Sequence, residues 1–199
     1  MYESIPKFDA KRLSGNEKID NSRLPRTFTV YDFWAWSSSD LLSNLKRGVL
    51  AEFIVAADFG VADDIRAEWD AYDLTTKCGT KVEVKSAAYL QSWFQKGPSS
   101  IGFSVSKSQF WDPATNAFSH EKRRQSDVYV FCLLQHRDIT TVDPLDMSQW
   151  EFLVVPTTTL DRECGELHRL SLKRLRELKP EICRHGEILE AVERAKSIS

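Results

Sequence analysis

No apolar run in this sequence reaches the length of a membrane span, which excludes a membrane-crossing helix. The opening residues, MYESIPK, lack the apolar centre of a secretory signal, so a cytoplasmic location is expected. Cysteine is sparse: Cys78, Cys132, Cys164 and Cys183 lie far apart with no CxxC pair, which argues for reduced thiols rather than a disulfide framework. The spacing of Cys164, His168, Cys183 and His185 departs from structural zinc patterns. Excess positive charge is lacking as well. The 27 Lys and Arg face 29 Asp and Glu, a formal net charge of −2, and this excludes a protein that coats nucleic acid through overall basicity. There is no internal repeat and no low-complexity tract.

What remains is a chain of 199 residues, 42% hydrophobic and 28% charged, enough for one compact core. Its charge is uneven. Residues 40–76 hold eight acids against three Lys or Arg, whereas residues 77–124 hold eight Lys or Arg against three acids. A localised phosphate-binding surface needs such a segment, and so does an ordinary solvated face.

The switch in charge falls inside residues 70–86, DAYDLTTKCGTKVEVKS. On both sides of Gly79 apolar and polar residues alternate, as in half-buried strands, and a three-residue loop Lys77-Cys78-Gly79 makes a β-hairpin. In that register Leu74 opposes Val82, Tyr72 opposes Val84 and Asp73 opposes Glu83, with the charges on one face. Directly opposed carboxylates would stand about 5 Å apart at their β-carbons and repel. A divalent cation removes that penalty, and hard carboxylate oxygens suit Mg²⁺. Lys85, on the same face as Glu83, is placed to serve a metal-bound water. Asp70 is a rival to Asp73, but its odd spacing puts it on the opposite face of a regular strand.

Asp73, nine residues, then Glu83-Val84-Lys85 resembles the D…(D/E)xK signature of the PD-(D/E)xK, or restriction-endonuclease-like, nucleases, although Tyr72 stands where a proline is common. The resemblance implies that Asp73 and Glu83 bind Mg²⁺ (or Mn²⁺) with the Val84 carbonyl as third ligand, that Lys85 assists the water, and that a glutamate on the preceding helix completes the site. Residues 41–58 read as that helix, capped within 37–40 and stopped at Gly60. Leu41, Leu45, Val49, Glu52 and Ala56 fall on one face, and an acid inside an apolar stripe needs a compensating role, so Glu52 is the candidate.

Elsewhere, residues 1–30 read as an irregular arm, and the aromatic run 27–36 as a segment packed on the core or a subunit interface. Residues 101–106 alternate as a third strand. Residues 107–125 hold a loop and a short helix ending in Lys122, Arg123 and Arg124, which with Ser86 and Gln91 are the candidate nucleic-acid contacts. Residues 127–135 and 151–156 are buried strands, and the tail carries two helical stretches around 171–178 and 181–196. The expected fold is α/β, an αβββαβ restriction-endonuclease-like core (about 38–160 within a single domain 31–199) with a mixed central sheet flanked by helices, an N-terminal arm and a C-terminal helical addition over 165–199. By resemblance the activity is a Mg²⁺-dependent endonuclease acting on nucleic acid, with double-stranded DNA as substrate and a homodimer as the assembly. The rival is a catalytically inactive nuclease-fold module that binds DNA or a protein.

Overall fold

A computed structural model describes residues 8–20, 23, 26–66, 70–112 and 117–198, and the chain divides into two units. The first takes in Met1–Ser39 and Asp63–Arg66. In it β1 (Lys18–Ile19) pairs antiparallel with β2 (Phe28–Thr29), and α1 (Val30–Ser38) follows at once. A capping box starts the helix: the Asp32 amide donates to the Thr29 hydroxyl while the Thr29 amide donates to the Asp32 carboxylate. The aromatic run expected against a core has become this helix, and α1 buries none of its residues. Wound at 3.6 residues per turn, Tyr31, Phe33, Trp34 and Trp36 spread around the axis and share no single face.

The second unit takes in Asp40–Ala62 and Ala67–Ser199. Its elements are α2 (Asn44–Asp58), β3 (Leu74–Thr75), β4 (Lys81–Ala88), β5 (Gly102–Ser104), β6 (Trp111–Asp112), β7 (Ala117–Phe118), β8 (Val128–Leu134), β9 (Trp150–Pro156), α3 (Thr157–Cys164), β10 (Arg169–Ser171), α4 (Leu172–Glu177), β11 (Glu181–Cys183) and α5 (Ile188–Ser197). Five strands make a mixed sheet in the order β11-β9-β8-β4-β3, with β4 and β8 parallel and the other pairs antiparallel.

Every residue of β8 is buried, because apolar layers cover both sheet faces. On one face Val82, Val84, Val128 and Val130 meet Ala51, Ile54 and Val55 of α2 and Ile188, Ala191 and Val192 of α5. On the other, Tyr129, Phe131 and Leu133 meet Phe103, Leu160, Leu170 and Leu175. The expected mixed α/β sheet flanked by helices is therefore the fold found.

Four local expectations differ. Residues 107–125 hold no helix among the described residues; β6 and β7 form a two-stranded ribbon, extended by the bridge between Ser108 and Arg123. Aromatic Trp111 and Phe118 sit opposite each other in it, a pairing that favours strand. The third strand, β5, pairs with β10 outside the central sheet. The stretch expected as a helix around 181–196 opens as β11, and α5 starts only after Gly186, whose φ of 93° breaks the run. Finally, α2 buries Arg47, Ala51, Ile54, Val55 and Ala56 and exposes Leu45, Val49 and Phe53. Apolar residues lie nearly all round this helix, so periodicity alone left its inward face undetermined. Arg47 settles it: 3% exposed, it donates to the Leu42 carbonyl at 2.8 Å and to Gln91 Oε1 at 3.1 Å.

Candidate active site

The hairpin forms as its sequence dictates. Gly79, at φ 87°, closes the Lys77-Cys78-Gly79 loop, and the Thr76 amide donates to the Thr80 carbonyl at 2.9 Å. Leu74 faces Val82 as expected, but the ladder is short and β3 covers only Leu74–Thr75. Distant residues hold the turn. The Thr76 and Thr80 hydroxyls donate to Glu193 Oε1 of α5 at 3.1 and 3.4 Å. Asp127 accepts from the Lys81 amide at 2.9 Å and from Lys196 Nζ at 2.6 Å.

Beyond Leu74 the ladder gives way to a side chain. Asp73 donates its amide to the Val82 carbonyl at 3.1 Å, and its Oδ2 accepts from the Val84 amide at 2.7 Å, where a strand would offer a main-chain carbonyl. Residues 70–73 are bends rather than strand, so the alternation that set Asp70 aside does not operate there. Asp70, Tyr72, Asp73 and Glu83 line an open cleft of about 310 Å³ together with residues 108–111 of the ribbon segment.

Glu83 and Lys85 are half-buried on the strand face away from Val82 and Val84, and Glu83 Oε1 accepts from Lys85 Nζ. Burial raises the Glu83 pKa; the neighbouring charges of Asp73 and, least, Glu52 push the same way, against Lys85. Of the four residues singled out in the sequence, Glu52, Asp73 and Lys85 thus lie within electrostatic reach of the fourth, Glu83. Val84 turns its amide toward Asp73, and its carbonyl, on the same strand edge, turns with it.

The structure adds residues that sequence reasoning missed. Tyr129 is the register partner of Glu83 across β4 and β8. Burial, then the Glu83 charge, keep its phenol protonated far above the usual range. A tyrosine inside a fully apolar strand was the available signal. Residues 108–111 carry none, because their place on the cleft is set by pairing with a segment ten or more residues away.

The other candidate contacts divide. Lys122 and Arg123 are exposed on the segment that follows the ribbon. Arg124 is not: its side chain is 0% exposed and donates to the Val105 carbonyl, to Asp161 Oδ1 at 2.6 Å and to the Gly165 carbonyl. Gln91 is also buried, bonded to Arg47 and the Ala88 carbonyl. The Ser86 hydroxyl is buried and without a partner. These three reach no surface phosphate as they stand.

Among the described residues, no three His, Cys, Asp or Glu stand together as a ready set of metal ligands. Asp73 and Glu83 are nonetheless two hard-oxygen donors on one cleft, each bonded by the protein through one oxygen. That pair fits Mg²⁺, which takes one or two carboxylates and leaves its other positions to water and phosphate.

A family model described as bacteriophage T4 endonuclease IV matches residues 22–164, well over half of the chain. The chain belongs to the bacteriophage T4 endonuclease IV family. Membership in this endonuclease family makes it a nucleic-acid-cleaving hydrolase. The endonuclease IV match takes in Glu52, Asp73, Glu83, Lys85 and the residues that line the cleft, and ends with α3. The elements α4, β11 and α5 lie beyond it. No curated protein matches the chain. No helix among the described residues is long and apolar enough to cross a membrane.

Proposed function

We propose that this endonuclease is a metal-dependent deoxyribonuclease working in the manner of the PD-(D/E)xK nucleases, with the β3–β4 hairpin as its active site. The observation that carries this reading is that Asp73 and Glu83 line one cleft while Lys85 sits on the same strand face, bonded to Glu83. Asp73 and Glu83 would hold Mg²⁺ or Mn²⁺, with the Val84 carbonyl as a third donor. Such an ion, when bound, supplies charge neutralisation at the phosphate and a lowered pKa for water. The chain's own groups do the rest. Lys85 orients the attacking water and meets the charge growing on the phosphate oxygens, and Glu52 orients the water from α2. The water oxygen forms the new P–O bond, the bond to the leaving sugar oxygen breaks, and the water's proton ends on that leaving oxygen. A duplex cut in both strands calls for two clefts, so a homodimer belongs to this reading.

The test is cleavage of plasmid, linear duplex and single-stranded DNA and of RNA with Mg²⁺, Mn²⁺ or EDTA, comparing the natural chain with Lys85→Ala and Asp73→Asn. Both variants are expected to lose about 10²-fold or more, and EDTA to abolish cutting. Cutting that persists in EDTA, or in both variants, overturns the reading. Sedimentation in the same buffers checks the dimer.

One observation favours a second reading, a silent binding module: Asp73 and Glu83 each already accept from a protein donor through one oxygen. Nucleic-acid binding without cleavage under any metal would select it.

A further inference from the structure

The strand that carries Glu83 and Lys85 runs into a loop with an unusual display. Trp93 is 54% exposed and Phe94 89%, adjacent to each other at its tip. Large aromatics set side by side in water mark interaction sites rather than packing. The loop that holds them up is built from polar braces. The Ser99 amide donates to the Tyr89 carbonyl at 2.8 Å and closes the base. Inside, Gln95 accepts from the Gln91 amide at 2.7 Å and donates to the Tyr89 carbonyl and to Ser99 Oγ. Gln91 is in turn tied to α2 through Arg47. This gives the buried glutamine a structural role: it fixes the frame that presents the two rings.

Charge indicates what the rings meet. Between Glu83 and Asp112 there is no acid, and the only charged residues are Lys85, Lys96 and Lys107. Lys107 pairs with Glu166, whereas Lys96 is exposed two residues from Phe94. At the loop's base Arg137 lies 4.0 Å over the Tyr89 ring. Exposed aromatic rings on a stretch whose charged residues are all lysines match the two parts of a single-stranded nucleic acid, flat bases and a phosphate backbone.

Resting on the nuclease reading above, we infer that Trp93 and Phe94 form a base-stacking platform, a second substrate contact distinct from the cleft. The loop leaves the far end of β4, about 17 Å along the strand from Glu83 at ~3.3 Å per residue. The rings therefore take bases at a distance from the phosphate that is cut. Because every base has a π-face, this contact adds affinity without reading sequence.

The experiment is fluorescence anisotropy of a labelled oligothymidylate of about twenty nucleotides, titrated in EDTA with the full chain and its variants. Trp93→Ala/Phe94→Ala is expected to bind about tenfold or more weakly, with an unchanged salt slope and melting temperature. Trp93→Tyr/Phe94→Tyr, which keeps both rings, is expected to bind like the natural chain. Equal affinity of the alanine variant, or no binding of the single strand by the natural chain, overturns the inference. So does a natural chain that self-associates only while both rings are present, since the patch is then a contact between copies. Cleavage in Mg²⁺ separates the two claims. If the alanine variant loses binding while the natural chain cuts nothing, the platform stands and the catalytic reading falls; if the natural chain cuts and the alanine variant matches its KM, the reverse holds.

Discussion

Asp73 serves two ends, and substitution separates them. Its carboxylate lines the cleft and is also the acceptor that continues the hairpin where main-chain pairing stops. Asp73→Asn keeps an oxygen for the Val84 amide, so it is expected to melt like the natural chain while losing cleavage. Asp73→Ala orphans that amide and should also lose about 1–3 kcal/mol of stability, read by urea unfolding. Arg124 is the opposite case. Its buried guanidinium ties the start of β8 to α3 through Asp161, so Arg124→Met should cost about 2–3 kcal/mol and leave nucleic-acid affinity per folded molecule unchanged. A large loss of affinity with normal stability would restore Arg124 as a phosphate contact. The contrast marks what the sequence made readable at this scale. Asp73, Glu83 and Lys85 belong to one local alternation, and local spacing brings them together. Whether Gln91 and Arg124 face water depends on Arg47, Asp161 and Gly165, residues outside their own segments.

At the scale of elements, α5 is held by other parts of the chain. It has no side-chain cap of its own; Asp58, at the end of α2, accepts from the amides of Gly186, Ile188 and Leu189. Asp58→Ala should cost about 1–2 kcal/mol and lower the melting temperature by a few degrees, with Asp58→Asn in between. The far end of α5 gives a pH signature. Burial works to raise the Asp127 pKa but is outweighed by hydrogen bonds from Lys196 and the Lys81 amide and by the Lys196 charge, leaving it below its ordinary 3.8. The unfolded chain then binds the proton more readily, so stability rises with pH there. This contribution is complete above the ordinary value and lost as pH falls through the lowered one. Acid unfolding of Asp127→Asn, followed by circular dichroism, should show a weaker pH dependence below about 4. Elements with a local signal were legible: the hairpin from its alternation, β8 and β9 from their apolar runs. The ribbon was not, since its pairing joins Ser108 to Arg123, nor was the inward face of α2, whose apolar residues surround it.

The whole second unit depends on contacts remote in sequence. The parallel pair β4 and β8 is joined by a long crossover, and the sheet's outer edge, β11, comes from the tail. A chain ended at residue 180 would lose β11 together with the core residues Ile188, Ala191, Val192 and Ala195. It is expected to show no cooperative melt, although it contains the full family match. A sharp transition in that truncated chain would show that residues 22–164 carry their own core.

The brace from Glu193 to Thr80 spans 113 residues. A growing chain emerges from its N-terminal side, so the hairpin with both acids is made long before α5 exists to hold its turn. The hairpin is thus assembled first and its turn secured last.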